Sequence, residues 1–240
     1  MSAVQVEGSF TTIPVVSLSQ WRESPEDRLR LARDLVDACH RVGFFTLIDH
    51  GIEQEAVDEY FAMLKSFFAL PAEQKALIDK RQSAHFRGWE AVGAELTDNR
   101  VDYREQLDLS TENPAYPPDS LPAYLRLDGP NQWLPDDLLP GFRPTVMGYF
   151  ARLSRLADEL MGMLAIGLEL PEDTFARRFG ARPLSFMKLI SYPPTPPGQA
   201  GVNGHHDAGF LTLLMQHGVG GLQVLNPAGE WIDVPPTDGA

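Results

Sequence analysis

The stretch that decides the fold is Ser191–Val224, "SYPPTPPGQAGVNGHHDAGFLTLLMQHGVGGLQV". Its first half is rich in proline and glycine and reads as a loop. "FLTLLMQ" (Phe210–Gln216) and "GLQVLN" (Gly221–Asn226) then read as short strands. "SFMKLISY" (Ser185–Tyr192) precedes the loop as a strand, and "EWIDVP" (Glu230–Pro235) closes the series. "NPAG" (Asn226–Gly229) between the last two has the form of a hairpin loop ending in glycine. If His205–Asp207 is extended, alternate side chains share a side, so His205 pairs with Asp207 and His206 faces away. An imidazole and a carboxylate presented together suit a divalent transition metal, and two histidines with one carboxylate leave three coordination positions open. An H-x-D pair alone is a weak signal, because histidines in loops are common.

Working outward, the N-terminal half carries helices. "TIPVVSLS" (Thr12–Ser19) reads as a strand. In "SPED" (Ser24–Asp27) a serine N-cap, a proline and two acids open a helix. Ala32, Leu35, Val36 and Cys39 form its apolar face, and Gly43 stops it. "FFTLI" (Phe44–Ile48) is a second strand. A second helix starts near Glu53, with Val57, Tyr60, Phe61, Leu64 and Phe68 on its buried stripe, and "LPAEQK" (Leu70–Lys75) restarts the helical pattern. Residues 83–144 are irregular and proline-rich apart from the strand "VDYREQLDLS" (Val101–Ser110). A long amphipathic helix follows from Pro144 to about Leu170. Helices first and closely spaced strands last predict an α+β fold with helices packed on an antiparallel β core. The expected divisions are 1–115, a linker with the long helix at 116–183, and a β region at 184–240.

The 240 residues carry a formal net charge of −13, which repels phosphate backbones and argues against a nucleic-acid partner. The single cysteine, Cys39, cannot form an internal disulfide and lies on the buried face of the first helix. The N-terminus lacks the basic start and apolar run of a signal peptide. No apolar stretch approaches the ~20 residues that span a bilayer. The expected location is cytoplasmic, with no membrane partner and an oligomeric state that the sequence leaves open.

With these motifs in place, the chain resembles the isopenicillin N synthase-like family of 2-oxoglutarate/Fe(II)-dependent dioxygenases. Members carry a Y-P-P segment, then H-x-D, G-x-L-T-L-L-x-Q, G-G-L-Q-V and a W-I-D-V-P-P strand, and each stands here in order. "IPVVSLS", "GFFTLIDHGI", "FFALPAEQK", "RGW" and "REQLDL" are similar to the family's N-terminal region, so the resemblance runs from about Ile13 to Pro236. It implies a double-stranded β-helix, or jelly roll, with an N-terminal helical and β region packed on it. It also implies Fe(II) and 2-oxoglutarate, with dioxygen as oxidant. The implied reaction is hydroxylation, desaturation or ring closure of a small-molecule substrate.

By the same resemblance His205 and Asp207 are metal ligands. Tyr192 sits where a phenol donates to 2-oxoglutarate, although a packed barrel residue is an equal reading. Arg87, in "HFRGWE", stands where relatives contact substrate, and a guanidinium there suits a substrate carboxylate; a surface or loop-pairing arginine is the alternative. His50 and His85 are expected to be structural, Gln216 and the Gly220–Gly221 pair to shape a turn, and His217 receives no role. The family's triad ends with a second histidine beyond "WIDVPP", followed by R-x-S, and no histidine follows His217. The jelly roll is therefore expected to be incomplete at the C-terminus. A catalytically inactive fragment or a binding or scaffold protein is the alternative function.

Overall fold

The computed structural model describes residues 9–22, 24–180 and 183–240. In chain order, β1 is Val15–Ser17, α1 Pro25–Arg41, β2 Thr46–Ile48, α2 Gln54–Phe68 and α3 Ala72–Lys75. Then come β3 (Gly88–Glu90), β4 (Leu96–Thr97), β5 (Arg100–Val101) and β6 (Glu105–Ser110). The series ends with α4 (Phe142–Gly167), α5 (Thr174–Phe179), β7 (Phe186–Ser191), β8 (Gln223–Leu225) and β9 (Trp231–Asp233). The architecture is mixed helix and sheet. The chain forms two compact units, residues 1–54, 155–178 and 211–240, and residues 55–154 and 179–210. They cut across the three divisions drawn from sequence, because each gathers pieces distant along the chain.

In the first unit, β1 and β2 pair in parallel across α1. The start of α1 obeys its capping signal: Ser24 Oγ accepts from the Asp27 N–H at 3.1 Å, and Pro25 takes a position where no N–H is needed. Beyond its other end, Gly43 adopts φ +79° and donates to the Ala38 carbonyl. Leu31, Ala32 and Leu35 of α1 are buried with Leu156, Leu160, Met163 and Leu164 of α4. Gly167 is essential to that approach, because a Cβ there would lie 2.2 Å from the Ala32 carbonyl oxygen. Cys39 packs against the same core, and burial pushes its thiol up. That keeps it a protonated packing residue rather than a nucleophile.

β8 and β9 form the antiparallel hairpin expected of "NPAG". Asn226 Oδ1 accepts from the N–H groups of Ala228 (3.0 Å) and Glu230 (2.9 Å), which closes the loop through a side chain. Gln216 Nε2 donates to the Val234 carbonyl, a turn-shaping contact.

One strand expected from sequence does not form. Phe210–Gln216 alternates in burial, with Leu211 and Leu213 packed on the core and Phe210 and Leu214 exposed, yet it belongs to no strand. Apolar alternation reports a buried face, whereas a strand also needs a ladder of backbone hydrogen bonds.

In the second unit, β3, β6 and β7 make an antiparallel sheet in that order. Its register separates the residues into two sets. Trp89, Leu107 and Leu189 lie opposite one another on one face. Glu90, Gln106 and Ile190, with Asp108 opposite Lys188, share the other. Elsewhere in this unit α2 meets the first half of α4 through aromatic pairs, with Tyr60 stacked on Tyr149 at 4.0 Å and Phe67 on Phe142 at 4.8 Å.

Candidate metal centre

The loop that follows β7 carries the pair singled out by spacing. His205 Nε2 lies 3.3 Å from Asp207 Oδ1, so the i and i+2 side chains do meet, and both are about half exposed. His205 Nδ1 lies 2.8 Å from the Asn203 carbonyl oxygen. A carbonyl only accepts, so Nδ1 must carry the proton. In the neutral ring Nε2 then offers a lone pair toward a carboxylate oxygen. The donor set, with its imidazole oriented by a backbone carbonyl, fits a divalent transition metal. His206, exposed beside them, is outside this pair.

The loop is anchored. Asn203 donates to Asp102 Oδ1 twice, from its backbone N–H at 3.0 Å and from Nδ2 at 2.9 Å. Asn203 Nδ2 also reaches the Val101 carbonyl at 3.2 Å, and the Tyr103 N–H donates to the Ala200 carbonyl. Asp102 is 0% exposed, accepts from Thr97 Oγ1 at 2.6 Å, and lies 3.3 Å from Arg104. Neither Asp102 nor Asn203 was singled out from sequence. The available signal was an asparagine two residues ahead of a candidate ligand, where its carbonyl can orient the ring.

Tyr192, just past β7, is half exposed and leans on the same loop. A Cβ at Gly201 would come within 2.8 Å of the Tyr192 ring, so glycine is what lets loop and ring approach.

Arg87 lies elsewhere in the unit, 0% exposed. Its guanidinium donates to the carbonyls of His85 and Leu127, each at 2.6 Å, and stacks 5.0 Å from the Phe186 ring. Burial pulls its pKa down, against the charges of Asp128 and Asp108. This geometry matches the loop-pairing alternative, with both terminal nitrogens bonded to main-chain carbonyls. His85 donates through Nδ1 to the Arg126 carbonyl, and His50 Nδ1 accepts from the Ile52 N–H. Both are structural in geometry.

A second group of potential ligands is Glu90, Glu95 and Asp108, whose oxygens lie within 4.8 Å of one another. Cations already occupy it. Lys80 Nζ is 2.8 Å from Glu90 and 2.5 Å from Asp108. Lys188 is 3.1 Å from Glu95 and 3.4 Å from Asp108, and Gln106 Nε2 donates to Glu90 and Glu95. Burial would lower the Lys80 pKa, but its hydrogen bonds and charge pairs with Asp108 and Glu90 raise it overall, so this is an ion-pair network.

A mixed α and β scaffold holding an imidazole–carboxylate pair has the donor types that a non-haem metal centre uses. Residues 13–136 match the family described as non-haem dioxygenase in morphine synthesis N-terminal, and residues 183–240 match the 2OG-Fe(II) oxygenase superfamily. The chain is 38% identical to a 2-oxoglutarate-dependent dioxygenase, frbJ, of Dothideomycetidae sp., over 96% of this chain and 63% of that protein. It is 34% identical to a 2-oxoglutarate-dependent dioxygenase of Didymella fabae, over 97% of this chain and 74% of that protein. A full-length Neurospora crassa protein solved in complex with alpha-KG superposes with a TM-score of 0.79 at 26% identity, over 95% of this chain and 70% of that one. A 2OG-Fe(II) oxygenase family protein from Caulobacter crescentus gives 0.74 at 28% identity, over 95% and 72%. The chain belongs to the 2OG-Fe(II) oxygenase superfamily. It spans 62–63% of the length of the first two curated relatives that it matches.

Proposed function

We propose that the protein is a non-haem Fe(II) oxygenase that uses 2-oxoglutarate and dioxygen to hydroxylate, desaturate or cyclise a small-molecule substrate. The observation that carries this reading is the His205–Asp207 pair, two acceptors 3.3 Å apart with the imidazole fixed from behind. In this reading His205 Nε2 and a carboxylate oxygen of Asp207 hold the metal. Bound Fe(II) with 2-oxoglutarate supplies the activation of dioxygen for C–H oxidation. The residues of the chain hold ligand geometry and place the co-substrate beside the metal. Tyr192, half exposed against the same loop, is the candidate donor to 2-oxoglutarate. Arg87 is assigned to bracing the loops around His85 and Leu127 instead of clamping a substrate.

The sheet and hairpin are read as parts of a double-stranded β-helix, an inference supported by the fold of the structural neighbours. The divisions 1–115, 116–183 and 184–240 remain the proposed organisation; the family match at 183–240 supports the last of them, and the match at 13–136 runs past the first. No helix among the described residues is long and apolar enough to cross a membrane, and a cytoplasmic location is the proposal. The relatives are named as oxygenases, which favours catalysis over a scaffold role. The Neurospora crassa neighbour is described with alpha-KG and thymine, and a small-molecule substrate is inferred here by analogy.

The test is anaerobic titration of Fe(II) into the protein with 2-oxoglutarate. The expected outcome is the weak visible absorption of the chelate, followed by succinate release on admitting air. Absence of both from protein that also carries the family's second histidine and R-x-S would exclude the oxygenase reading.

A further inference from the structure

We propose that Asp102 is the positioning residue of the metal centre, acting through Asn203 to set the orientation and tautomer of His205. The assignment rests on the oxygenase reading for its metal arm and on geometry alone for the rest.

Asn203 is held at both its backbone and its side chain. Its N–H and Nδ2 both donate to one oxygen, Asp102 Oδ1, at 3.0 and 2.9 Å. Two bonds from one residue to one carboxylate oxygen fix the Asn203 backbone in rotation as well as position. The other oxygen of Asp102 is taken by Thr97 Oγ1 at 2.6 Å and by Arg104 at 3.3 Å, so the carboxylate has no freedom to turn. Asp102 is wholly buried and its own N–H donates to the Glu95 carbonyl at 3.1 Å. The frame is therefore rigid, on a segment about a hundred residues from the loop that it holds.

The remaining polar group of the Asn203 main chain, its carbonyl, receives His205 Nδ1 at 2.8 Å. The direction of that carbonyl decides which ring nitrogen carries the proton. With Nδ1 protonated, Nε2 is the nitrogen left to meet Asp207 Oδ1 at 3.3 Å. Loosening Asn203 frees the carbonyl, and the ring then samples both tautomers and rotates away from Asp207. Groups that orient a ligand histidine act through this route, and their loss costs ~10–100-fold in metal affinity.

The experiment compares wild type, Asp102→Asn, Asn203→Ala and the exchanged pair Asp102→Asn/Asn203→Asp. The exchange turns the side-chain bond around, with the new amide donating to the new carboxylate. Circular dichroism selects conditions in which each is folded. The first measurement is metal-free: ring 15N shifts of His205, read well above the ordinary imidazole value of about 6.5. Wild type is expected to show the Nδ1–H tautomer, the single variants a mixture, and the exchanged pair a partial return. The second is calorimetric Fe(II) binding, expected to weaken ~10–100-fold in the single variants. A folded Asp102→Asn with an unchanged His205 tautomer overturns the proposal. So does an unchanged Fe(II) affinity beside a lowered thermal midpoint, since that marks a purely structural aspartate. Failure to bind Fe(II) in protein that also carries the family's second histidine would instead sink the oxygenase reading, and the tautomer would still decide the role of Asp102.

Discussion

His205 and His206 are adjacent and chemically identical, yet the structure gives them different partners. His205 meets Asp207 and the Asn203 carbonyl, whereas His206 stands exposed beside them. His205→Ala is expected to abolish Fe(II) binding and His206→Ala to leave it within about twofold, a margin set by the ±0.5 kcal/mol typical of surface changes. Calorimetric titration of both variants checks this, and the reverse order would reassign the ligand. The i, i+2 choice was legible because strand-like alternation needs no partner to be read. The brace behind it was not, since Asp102 and Asn203 meet only through the fold.

That brace also has a pH signature. Burial pushes the Asp102 carboxyl up, but hydrogen bonds from Thr97 and Asn203 and the charge of Arg104 hold it below its ordinary value. A carboxylate lowered in the folded state stabilises fully above its unfolded value of about 3.9 and loses that contribution as pH falls through the folded value. Asp102→Asn is therefore expected to be less stable than wild type near neutrality, with the two curves converging in acid. Urea unfolding across the acid range reads the difference, and a constant gap down to the lowest pH would refute it.

Among the elements, α1 was readable from its ends because capping is local chemistry: Ser24, Pro25 and Gly43 each act on backbone within a few residues. The segment Phe210–Gln216 was misread because a short apolar run between turn residues matches a strand while no ladder forms. The crossing of α1 and α4 also lay beyond sequence, since nothing local marks Gly167 as the point of contact with Ala32. Its consequence is sharp. A Cβ at Gly167 would sit 2.2 Å from a backbone oxygen and 2.7 Å from Val36 Cγ2, and the oxygen cannot rotate away. Gly167→Ala should therefore destabilise the chain by about 1–3 kcal/mol despite the better helix propensity of alanine. Thermal unfolding measures it, and a stabilised variant would show that the helices separate freely. Across the polar face of the β3–β6–β7 sheet, Lys80 is the more buried of two lysines that each pair with two acids, its own being Glu90 and Asp108. Lys80→Met leaves those acids facing each other with one cation fewer, an expected loss of about 3–5 kcal/mol by the cost of breaking a buried pair.

At the scale of the molecule, the apolar packing around α1 and the ligand geometry rest on different residues. An apolar cluster, with Leu35 and Leu160 both 0% exposed, belongs to the unit of residues 1–54, 155–178 and 211–240. The contacts that aim His205, from Asn203, Asp102, Thr97 and Arg104, lie in the unit of residues 55–154 and 179–210. Sequence segments could not reveal this, because each unit is assembled from pieces far apart along the chain and the register of neither is written in any one of them. Leu35→Ala is expected to remove about 2–5 kcal/mol, through lost burial and a cavity in a site that cannot collapse. At about 2–4 °C per kcal/mol for a chain of this size, the thermal midpoint should fall visibly. Well below that midpoint, Fe(II) affinity should equal that of wild type, since no bond orienting the ligands has changed. Asp102→Asn is expected to give the complementary pattern, with affinity lost in protein that remains folded. Paired melting and calorimetry on the two variants separate the roles. An affinity that tracks the melting temperature across both would mean that the ligands are held by overall stability and not by the Asp102–Asn203 contact.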